Sequence, residues 1–330
     1  MTERTLAIAL VLVTVLAGCT SEDGGAPADG EAPTPPIATW SWGALADVPT
    51  PRTEVAAVVL WGDLVVLGGF AASSAPSAAV EALNLTTGTW RMLAPLPVPL
   101  HHAPAVVHQG RIHVLGGYTT QAFLPTTLHL VYDPSMALWT TGETLPRARG
   151  AHGAAVVDGR AYLVGGVGEQ GLLATVDVID LGTGRWSTGP DLPLPRDHLA
   201  VQGLDGGVHA VGGREQSLSS NTGAHHVLAP GGEWMELEAV PTPRGGIGAG
   251  VVAGLLVVVG GEENGGTFDE VEAYDAATGT WSALPALPTP RHGLGVVGHQ
   301  DRLYVAAGGP QPGLTVSGAV EVLSMDTAAP

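Results

Sequence analysis

Short hydrophobic runs alternate with glycine- and proline-rich turns along most of this chain, and the order of the runs repeats. One repeat holds a run of small and β-branched residues (Ala154 to Val157), an Asp158-Gly159 turn, and an apolar run that ends at Gly165-Gly166. A third run alternates apolar and polar residues, as from Val271 to Asp275, and a fourth contains a tryptophan. Runs of this length between tight-turn residues predict four short β-strands, here named a, b, c and d.

The four-strand unit occurs six times with a period of 47–49 residues. From Trp139 there are 10 positions to Arg149 and 26 to Gly165, and the tryptophan-to-glycine interval is the same in every copy when Ala307-Gly308 is taken as the sixth doublet. Four strands at this period predict an all-β, six-bladed β-propeller. The predicted repeats lie near 52–92, 100–141, 149–188, 196–236, 244–283 and 291–324, with 39–46 added.

The two ends of the repeat array are complementary. The sixth copy stops after a strand c from Val320 to Leu323 and has no tryptophan, whereas Trp42 precedes the first copy. Because an incomplete ring would leave an unpaired sheet edge, we predict that the N-terminal strand with Trp42 completes the sixth blade and closes the ring.

These features resemble the kelch repeat: a glycine doublet after strand b, an aromatic residue in strand c, and a tryptophan seven residues later. The resemblance covers about residues 39–324 and implies a kelch-like propeller. The strand-c aromatic is present only as Tyr132 and Tyr274, but the other four positions remain apolar and suited to burial.

The N-terminal segment carries a different signal. An apolar run from Thr5 to Leu16 is too short to span a bilayer and is typical of a signal-peptide core. It ends in Leu16-Ala17-Gly18-Cys19, which resembles the lipobox of prokaryotic lipoproteins and implies cleavage before Cys19 and lipid attachment there; a plain secretion signal is the alternative. We therefore expect a signal peptide (1–18), a lipidated Cys19 with a disordered tether (19–38), and the propeller (39–330), anchored outside the cytoplasm in a prokaryotic cell envelope.

Composition narrows the possible partners. The formal net charge is −18, and the 13 cationic side chains are all arginine. A basic stripe for nucleic acid is lacking, so we expect no nucleic-acid partner. We expect a monomer that binds an unknown protein, peptide or glycan, and no cofactor.

An arginine follows the tryptophan in five copies, and an acidic residue lies in strand c of most copies. The glycine doublet between the two columns would let an arginine cross strand b, and the second copy lacks both members at once (Leu100 and Leu130). We therefore favour structural pairing, because a buried arginine needs a partner, over a cationic ring that binds a ligand. The predicted pairs are Arg52 with Glu81, Arg149 with Asp177, Arg244 with Glu272, and Arg291 with Glu321; the fourth copy, with Arg196 and His225, does not fit.

The b–c loops vary in length, and in a propeller they share one face with the d–a loops that follow the arginines. Loops on a rigid scaffold commonly carry binding residues. The candidate ligand face comprises Arg196, His101, His102, His198, His292, Phe70, Tyr118, Arg214, Glu215, Glu262 and Glu263. We expect the histidines to be solvated and separated by the propeller radius and to hold no metal, since no zinc-type spacing is present.

Two classes of function remain open. The first is a non-catalytic binding module, as the kelch resemblance implies for most members. The second is a carbohydrate-active enzyme similar to the six-bladed sialic-acid mutarotases, for which the acidic residues and arginines of the ligand face would serve. The copper radical oxidases of the family need a cysteine cross-linked to tyrosine, and the single cysteine here lies in the lipobox. We assign no catalytic residue and favour the binding module.

Overall fold

The computed structural model describes residues 39–326. The predictions for the signal peptide, for Cys19 and for the tether lie outside this range. Between Thr39 and Asp326 the chain is all-β, as predicted. No helix in this range is long and apolar enough to cross a membrane.

The described strands are short, and most have four or five residues. In chain order they are β1 (Thr39–Ala44), β2 (Arg52–Thr53), β3 (Ala56–Leu60), β4 (Asp63–Leu67), β5 (Phe70–Ala71), β6 (Val80–Asn84), β7 (Thr89–Met92), β8 (Ala105–His108), β9 (Arg111–Leu115), β10 (His129–Asp133), β11 (Leu138–Thr141), β12 (Gly153–Val157), β13 (Arg160–Val164), β14 (Val167–Gly168), β15 (Gly171–Leu172), β16 (Val176–Asp180), β17 (Arg185–Thr188), β18 (Ala200–Leu204), β19 (Gly207–Val211), β20 (His225–Leu228), β21 (Trp234–Glu236), β22 (Gly248–Val252), β23 (Leu255–Val259), β24 (Glu262–Glu263), β25 (Gly266–Thr267), β26 (Val271–Asp275), β27 (Thr280–Ala283), β28 (Gly295–His299), β29 (Arg302–Ala306) and β30 (Val320–Asp326).

These strands form six four-stranded antiparallel sheets, which are the blades. Blades 1 to 6 are β3-β4-β6-β7, β8-β9-β10-β11, β12-β13-β16-β17, β18-β19-β20-β21, β22-β23-β26-β27 and β28-β29-β30-β1. The pairs β2-β5, β14-β15 and β24-β25 form small extra ribbons. The predicted six-bladed propeller is confirmed.

Ring closure also follows the prediction. Strand β1 runs antiparallel to β30, and Trp42 is the register partner of Leu323. The outermost strand of blade 6 therefore comes from the beginning of the described chain. This pairing covers an edge of β30 that would otherwise be open.

The hydrophobic core lies between neighbouring blades. Val80 and Ala82 of blade 1 pack with Ile112 and Val114 of blade 2, and all four are buried. Each blade thus covers one apolar face with the next blade, as stacked twisted sheets do.

The tryptophan column links each blade to its predecessor. The indole Nε1 of each donates a hydrogen bond of 2.8–3.3 Å to a backbone carbonyl in the segment that leaves the preceding blade. The donor–acceptor pairs are Trp42 to Pro285, Trp90 to Ala46, Trp139 to Ala94, Trp186 to Glu143, Trp234 to Pro190 and Trp281 to Glu238. A half-buried indole with a satisfied N–H explains why tryptophan recurs there.

The first glycine of the doublet is required by the backbone of the next blade, and the second by the segment that leads into its own blade. Gly68 and Gly69 have φ of 63° and 91°. A Cβ added to Gly68 would lie 2.4 Å from the carbonyl oxygen of Leu100, and the amide of Gly69 donates to that same oxygen at 2.8 Å. Close backbone approach and positive φ therefore add to the predicted need for space beside the arginine, since a Cβ added to Gly308 would lie 3.3 Å from Arg291 Cδ.

The arginine column is buried, and each predicted acid lies beside its arginine. Arg52 is fully buried, and its guanidinium donates to Glu81 Oε2 at 2.7 Å and to the carbonyl of Gly68 at 2.9 Å. Arg149 donates to Asp177 at 2.5 Å, and the remaining pairs, also hydrogen-bonded, are Arg244 with Glu272 and Arg291 with Glu321. These guanidiniums lie against strand b and face strand c, so they are not presented to the central channel.

Blade 4 departs from the predicted column in an unexpected way. The residue in register with Asp177 of blade 3 is His226, which pairs with Ala210, and not His225. A constant spacing from the tryptophan predicts His225 at this position, but the turn between strands c and d is one residue shorter in blade 4. Leu228 lies opposite Trp234, whereas Leu83 lies opposite Trp90 in blade 1. His225 therefore points to the other side of the sheet, and its Nε2 lies 2.9 Å from His209 Nδ1.

Candidate functional site

The six innermost strands line a narrow channel along the propeller axis. Its cavity has a volume of about 170 Å³, and its wall is built mostly of alanine, glycine and valine. Polar side chains collect where the d–a segments enter the innermost strands. At this mouth Glu54, His102 and His198 line the channel.

These side chains stand on a ring of six residues that share one unusual backbone conformation. Each lies two positions after the arginine column and has positive φ: Glu54 (54°), His102 (52°), Ala151 (53°), His198 (51°), Gly246 (70°) and Gly293 (57°). The amide of each donates to the carbonyl of the previous member at 2.8–3.2 Å, except that Val55 replaces Glu54 as the donor to Gly293. We call this the axial ring. It fixes the direction of the three polar side chains.

Glu54 is the centre of the site. Its side chain is 9% exposed, with Oε2 3.2 Å from His102 Nε2 and Oε1 3.2 Å from His292 Nδ1. Burial opposes ionisation of Glu54, but the charge of His102 and the hydrogen bond and charge of His292 outweigh it and hold the pKa of this carboxyl well below its usual range. Glu54 is therefore a carboxylate at neutral pH.

The histidines around Glu54 differ in protonation. Burial lowers the pKa of His102 well below its ordinary value and also lowers that of His101. Burial would lower the pKa of His292 too, but the hydrogen bond and charge of Glu54 and the charge of Glu262 raise it. Burial thus favours the neutral form of His101 and His102, whereas the neighbouring carboxylates favour the charged form of His292.

A second set of ion pairs borders this cluster. Arg214 is largely buried and donates to Glu262 Oε1 at 3.0 Å and to Asp197 Oδ1 at 3.4 Å. Asp197 also lies 2.5 Å from His198 Nδ1. The Glu262 Oε2 atom accepts from the amide of Gly313 at 3.2 Å. The mouth is thus a continuous polar network that crosses several blades.

Aromatic rings cover the blade 1 and blade 2 side of the network. Phe70 and Tyr118 are buried, with the His101 ring 3.9 Å and 5.3 Å from their centroids. Phe123, from the b–c loop of blade 2, lies over both His101 and His102 and is 44% exposed. We call Phe70, Tyr118 and Phe123 the aromatic wall.

The structure gathers most of the candidate ligand face but corrects several expectations. The four loop histidines are not solvated and separated: His101 and His292 are each 1% exposed, and all four belong to one network around Glu54. Propeller radius does not separate them because the d–a segments converge on the axis. The members brought to this mouth are His101, His102, His198, His292, Phe70, Tyr118, Arg214 and Glu262.

Three members of the predicted face lie elsewhere. Glu215 and Glu263 are exposed. Arg196 is fully buried, and its guanidinium donates to the carbonyls of Gly212 and Ala210. It belongs to the structural column and cannot contact a ligand at the mouth.

Sequence reasoning missed Glu54, Asp197 and Phe123. A signal for Glu54 was present in the column two positions after the arginine, which contains alanine or glycine in three copies, as expected for positive φ. Polar residues in such a column indicate side chains aimed at a common axis. No comparable signal marks Phe123, whose position depends on the fold of its loop.

The arrangement can support two kinds of chemistry. The Glu54, His102 and His198 donor atoms lie within 4.8 Å of one another and face the channel, a spacing suited to a metal ion. The Glu54 and Glu262 oxygens and a His292 nitrogen form a second group within the same limit, which suits proton exchange with a bound molecule.

Comparisons with known proteins agree with this architecture. The chain matches the family model of the KLHDC2/KLHL20/DRC7 Kelch-repeats domain over residues 13–188, which is more than half of the chain, and the Kelch motif over residues 243–288. A solved structure described as "Structure of YjhT" is similar in fold, with a TM-score of 0.72 and 18% sequence identity, over 84% of this chain and 95% of that chain. No curated protein is significantly similar in sequence. The chain belongs to the Kelch-repeat family.

Proposed function

We propose that this chain is a lipid-anchored binding module of a prokaryotic cell envelope, and that its propeller binds a glycan or peptide ligand at the mouth of the axial channel. The observation that carries the proposal is the contact between two unlike surfaces at that mouth. The aromatic wall packs on His101 and His102, and His102 joins it to the charged network of Glu54, His292, Glu262 and Arg214.

The aromatic wall supports recognition of a ring or an extended chain. Phe123 leaves almost half of its side chain exposed while its inner face packs on His101 and His102. An aromatic face backed by rigid rings can stack on the apolar face of a sugar or on a peptide side chain. The charged network beside it offers donors and acceptors that would orient hydroxyl or carboxylate groups.

The envelope location rests on the N-terminal sequence. The apolar run from Thr5 to Leu16 and the following Cys19 are typical of a lipoprotein signal. The net charge of −18 supports solubility of a domain held beside a membrane.

A thermal-shift screen of the full-length chain tests the binding proposal. Neutral sugars, sugar acids and short peptides are compared, because only a compound that binds the folded state raises the transition. We expect at least one class to raise it in the unaltered chain and in the control Met136→Ala, whose side chain is also exposed. The same compound should have little effect on Phe123→Ala. A ligand response that is equal in all three proteins would contradict the proposal.

A carbohydrate-active enzyme, such as a sugar-acid mutarotase, is a second candidate because two carboxylates lie close together at the mouth. The Glu54 and Glu262 oxygens are within 4.8 Å, and His292 contacts Glu54 through Nδ1 at 3.2 Å and Glu262 through Nε2 at 3.5 Å. Such a pair can supply an acid and a base to one substrate. Exchange between sugar anomers, followed by NMR, should be accelerated by the unaltered chain and not by Glu262→Gln. Binding of the sugar without faster exchange would contradict the enzyme and leave the binding module as the proposed function.

A further inference from the structure

We propose that Glu54, His102 and His198 form a binding site for one divalent transition-metal ion, with Zn²⁺ as the representative ion, at the mouth of the axial channel. The ligands come from blades 1, 2 and 4, through the segments that lead into their innermost strands. This replaces the sequence-based expectation that the loop histidines hold no metal. The metal site is a claim separate from the identity of any organic ligand.

The donor atoms have a suitable separation. The Glu54 Oε2 atom lies 3.2 Å from His102 Nε2, and the set that includes His198 lies within 4.8 Å. With zinc–ligand distances near 2.0–2.1 Å, tetrahedral ligands are about 3.4 Å apart. Glu54 and His102 are therefore already at the required spacing, and His198 needs only a small side-chain adjustment.

The hydrogen bonds of His101 show that the gap between Glu54 and His102 suits a cation. The carbonyl of Thr120 can only accept, so His101 donates to it from Nε2 at 3.0 Å. In the tautomer whose Nδ1 accepts, the donor is His102 Nδ1, which lies 2.7 Å away. The His102 Nε2 and Glu54 Oε2 atoms, 3.2 Å apart, then need one cation between them, and a metal ion can take the place of a second proton on His102.

Each ligand is oriented by a further side chain or backbone group. His198 Nδ1 is held by Asp197 at 2.5 Å, which leaves its Nε2 free for the metal. The second oxygen of Glu54 is held by His292 at 3.2 Å. Outer partners of this kind fix the tautomer and direction of metal ligands, and carboxylate–histidine–metal chains are a common form.

The alternative donor set of Glu54, Glu262 and His292 is less suitable. His292 has a partner on both ring nitrogens, Glu54 on Nδ1 and the carbonyl of Gln311 at 3.1 Å on Nε2. A carbonyl only accepts, so that nitrogen carries a proton and cannot bind a metal. We therefore prefer Glu54, His102 and His198, which supply two imidazoles and all line the channel cavity, over a set in which His292 offers only Nδ1.

Three protein ligands leave a coordination position for another molecule. Structural zinc sites have four protein ligands, whereas catalytic or ligand-binding sites keep one position open. Glu54, His102 and His198 all border the channel cavity, so that position faces the channel. A carboxylate or hydroxyl group of a ligand could occupy it.

The experiment uses the full-length chain, stripped with a chelator and titrated with Zn²⁺ alone by calorimetry, without any sugar or peptide. Co²⁺ is then substituted and its visible absorption recorded, since band intensity reports low coordination number and nitrogen ligation. The variants are Glu54→Gln, His102→Asn and His198→Asn, because asparagine tolerates the positive φ of these positions. The control is His299→Gln at the far end of the channel.

We expect one Zn²⁺ per chain, with affinity reduced about tenfold or more in each ligand variant and unchanged in His299→Gln. The Co²⁺ bands should disappear in His102→Asn. Circular dichroism and the melting transition of the metal-free variants show whether each remains folded. The proposal is overturned if the folded chain binds no Zn²⁺, or if binding and the Co²⁺ spectrum survive in Glu54→Gln and His198→Asn. Because no organic ligand is present, such a failure leaves the glycan or peptide proposal to its own screen.

Discussion

Blades 3 and 4 place an identical arginine in two different electrostatic settings. Arg149 and Arg196 are both fully buried, and each donates to carbonyls of strand b and the first glycine of the doublet. Arg149 also has Asp177, whereas Arg196 has carbonyl partners only among the bonds in residues 39–326. Burial lowers the pKa of Arg196 to about 10, opposed by the charge of Glu215. The carbonyls therefore position the arginine, and the acid neutralises it.

Blade 2 shows a third arrangement at the same two positions. Leu100 and Leu130 are both buried there, so neither charge nor counter-charge is needed. Either an arginine paired with an acid or two leucines can be buried in low-dielectric surroundings, but a buried charge without a counter-charge is costly. Blade 4 is thus the least balanced of the three.

The largest effect should come from removing the arginine that has an acid. Arg149→Ala should lower the free energy of unfolding by about 3 kcal/mol, because Asp177 stays buried and keeps only the partly exposed Arg147 as a counter-charge. Arg196→Ala removes a side chain of the same size and burial but leaves only carbonyls, so its cost should be about 1–3 kcal/mol. Denaturant unfolding of both variants measures the difference. Equal losses in the two variants would contradict the prediction, because they would show that Asp177 does not change the cost of removing the arginine.

Acid should weaken blade 4 through its buried histidine pair. Burial lowers the pKa of His225 to about 3 and also lowers that of His209. As pH falls below 6.5, the unfolded chain takes up the proton first, so stability is lost from there down to the folded pKa, by about 2 kcal/mol for His225 at pH 5. The double variant His209→Val, His225→Val, which copies Val257 and Val271 of blade 5, should lose less stability between pH 7 and pH 5. Unfolding curves at the two pH values decide this; an unchanged pH dependence would contradict it.

Restoring the missing acid should stabilise blade 4. His226 occupies the register position of Asp177, is buried, and has an Nδ1 atom with no hydrogen-bond partner in the described part of the chain. His226→Glu should raise the free energy of unfolding by about 1 kcal/mol by giving Arg196 a charged acceptor. His226→Gln keeps the length without the charge and should gain less. If the glutamate variant melted at a lower temperature than the glutamine variant, a charged acceptor for Arg196 would not be stabilising and the prediction would be wrong.

The smallest effect should come from an exposed pair. Arg111 and Asp133 are hydrogen-bonded at 2.8 Å, but the arginine side chain is 56% exposed. Arg111→Ala should therefore change the free energy of unfolding by only about 0–1 kcal/mol, and less at high salt. Thermal unfolding at two salt concentrations checks this. A loss comparable with that of Arg149→Ala would show that burial is not what separates the pairs.

The sequence predicted the features that recur in each copy. Trp42, Arg149 and the doublet of Gly165-Gly166 lie at constant spacing, and these positions are set by contacts between neighbouring blades. The strands, the closing strand β1 and the four arginine–acid neighbours follow from that spacing. Repetition made them predictable because the same physical requirement was visible up to six times.

Features that occur once were not predictable in the same way. Glu54, His102 and His198 are far apart in sequence and meet only because the axial ring brings their segments together. The exchange of His225 for His226 depends on a turn one residue shorter, which constant spacing from Trp234 concealed. A residue that departs from the repeat in one copy has no equivalent in the other copies, so its position could be established only from the structure.

The pairing of β1 with β30 also has a consequence for the order of folding. Blades 1 to 5 are each built from one continuous segment, so their strands can pair soon after they are made. Blade 6 must join Trp42 to Leu323, and bringing together strands so distant in sequence carries a large loop-closure entropy and slows folding. We therefore expect ring closure to be the last step, preceded by a nearly complete propeller whose β30 edge is bare. The exposed edge of β30 is covered only when β1 has paired with it.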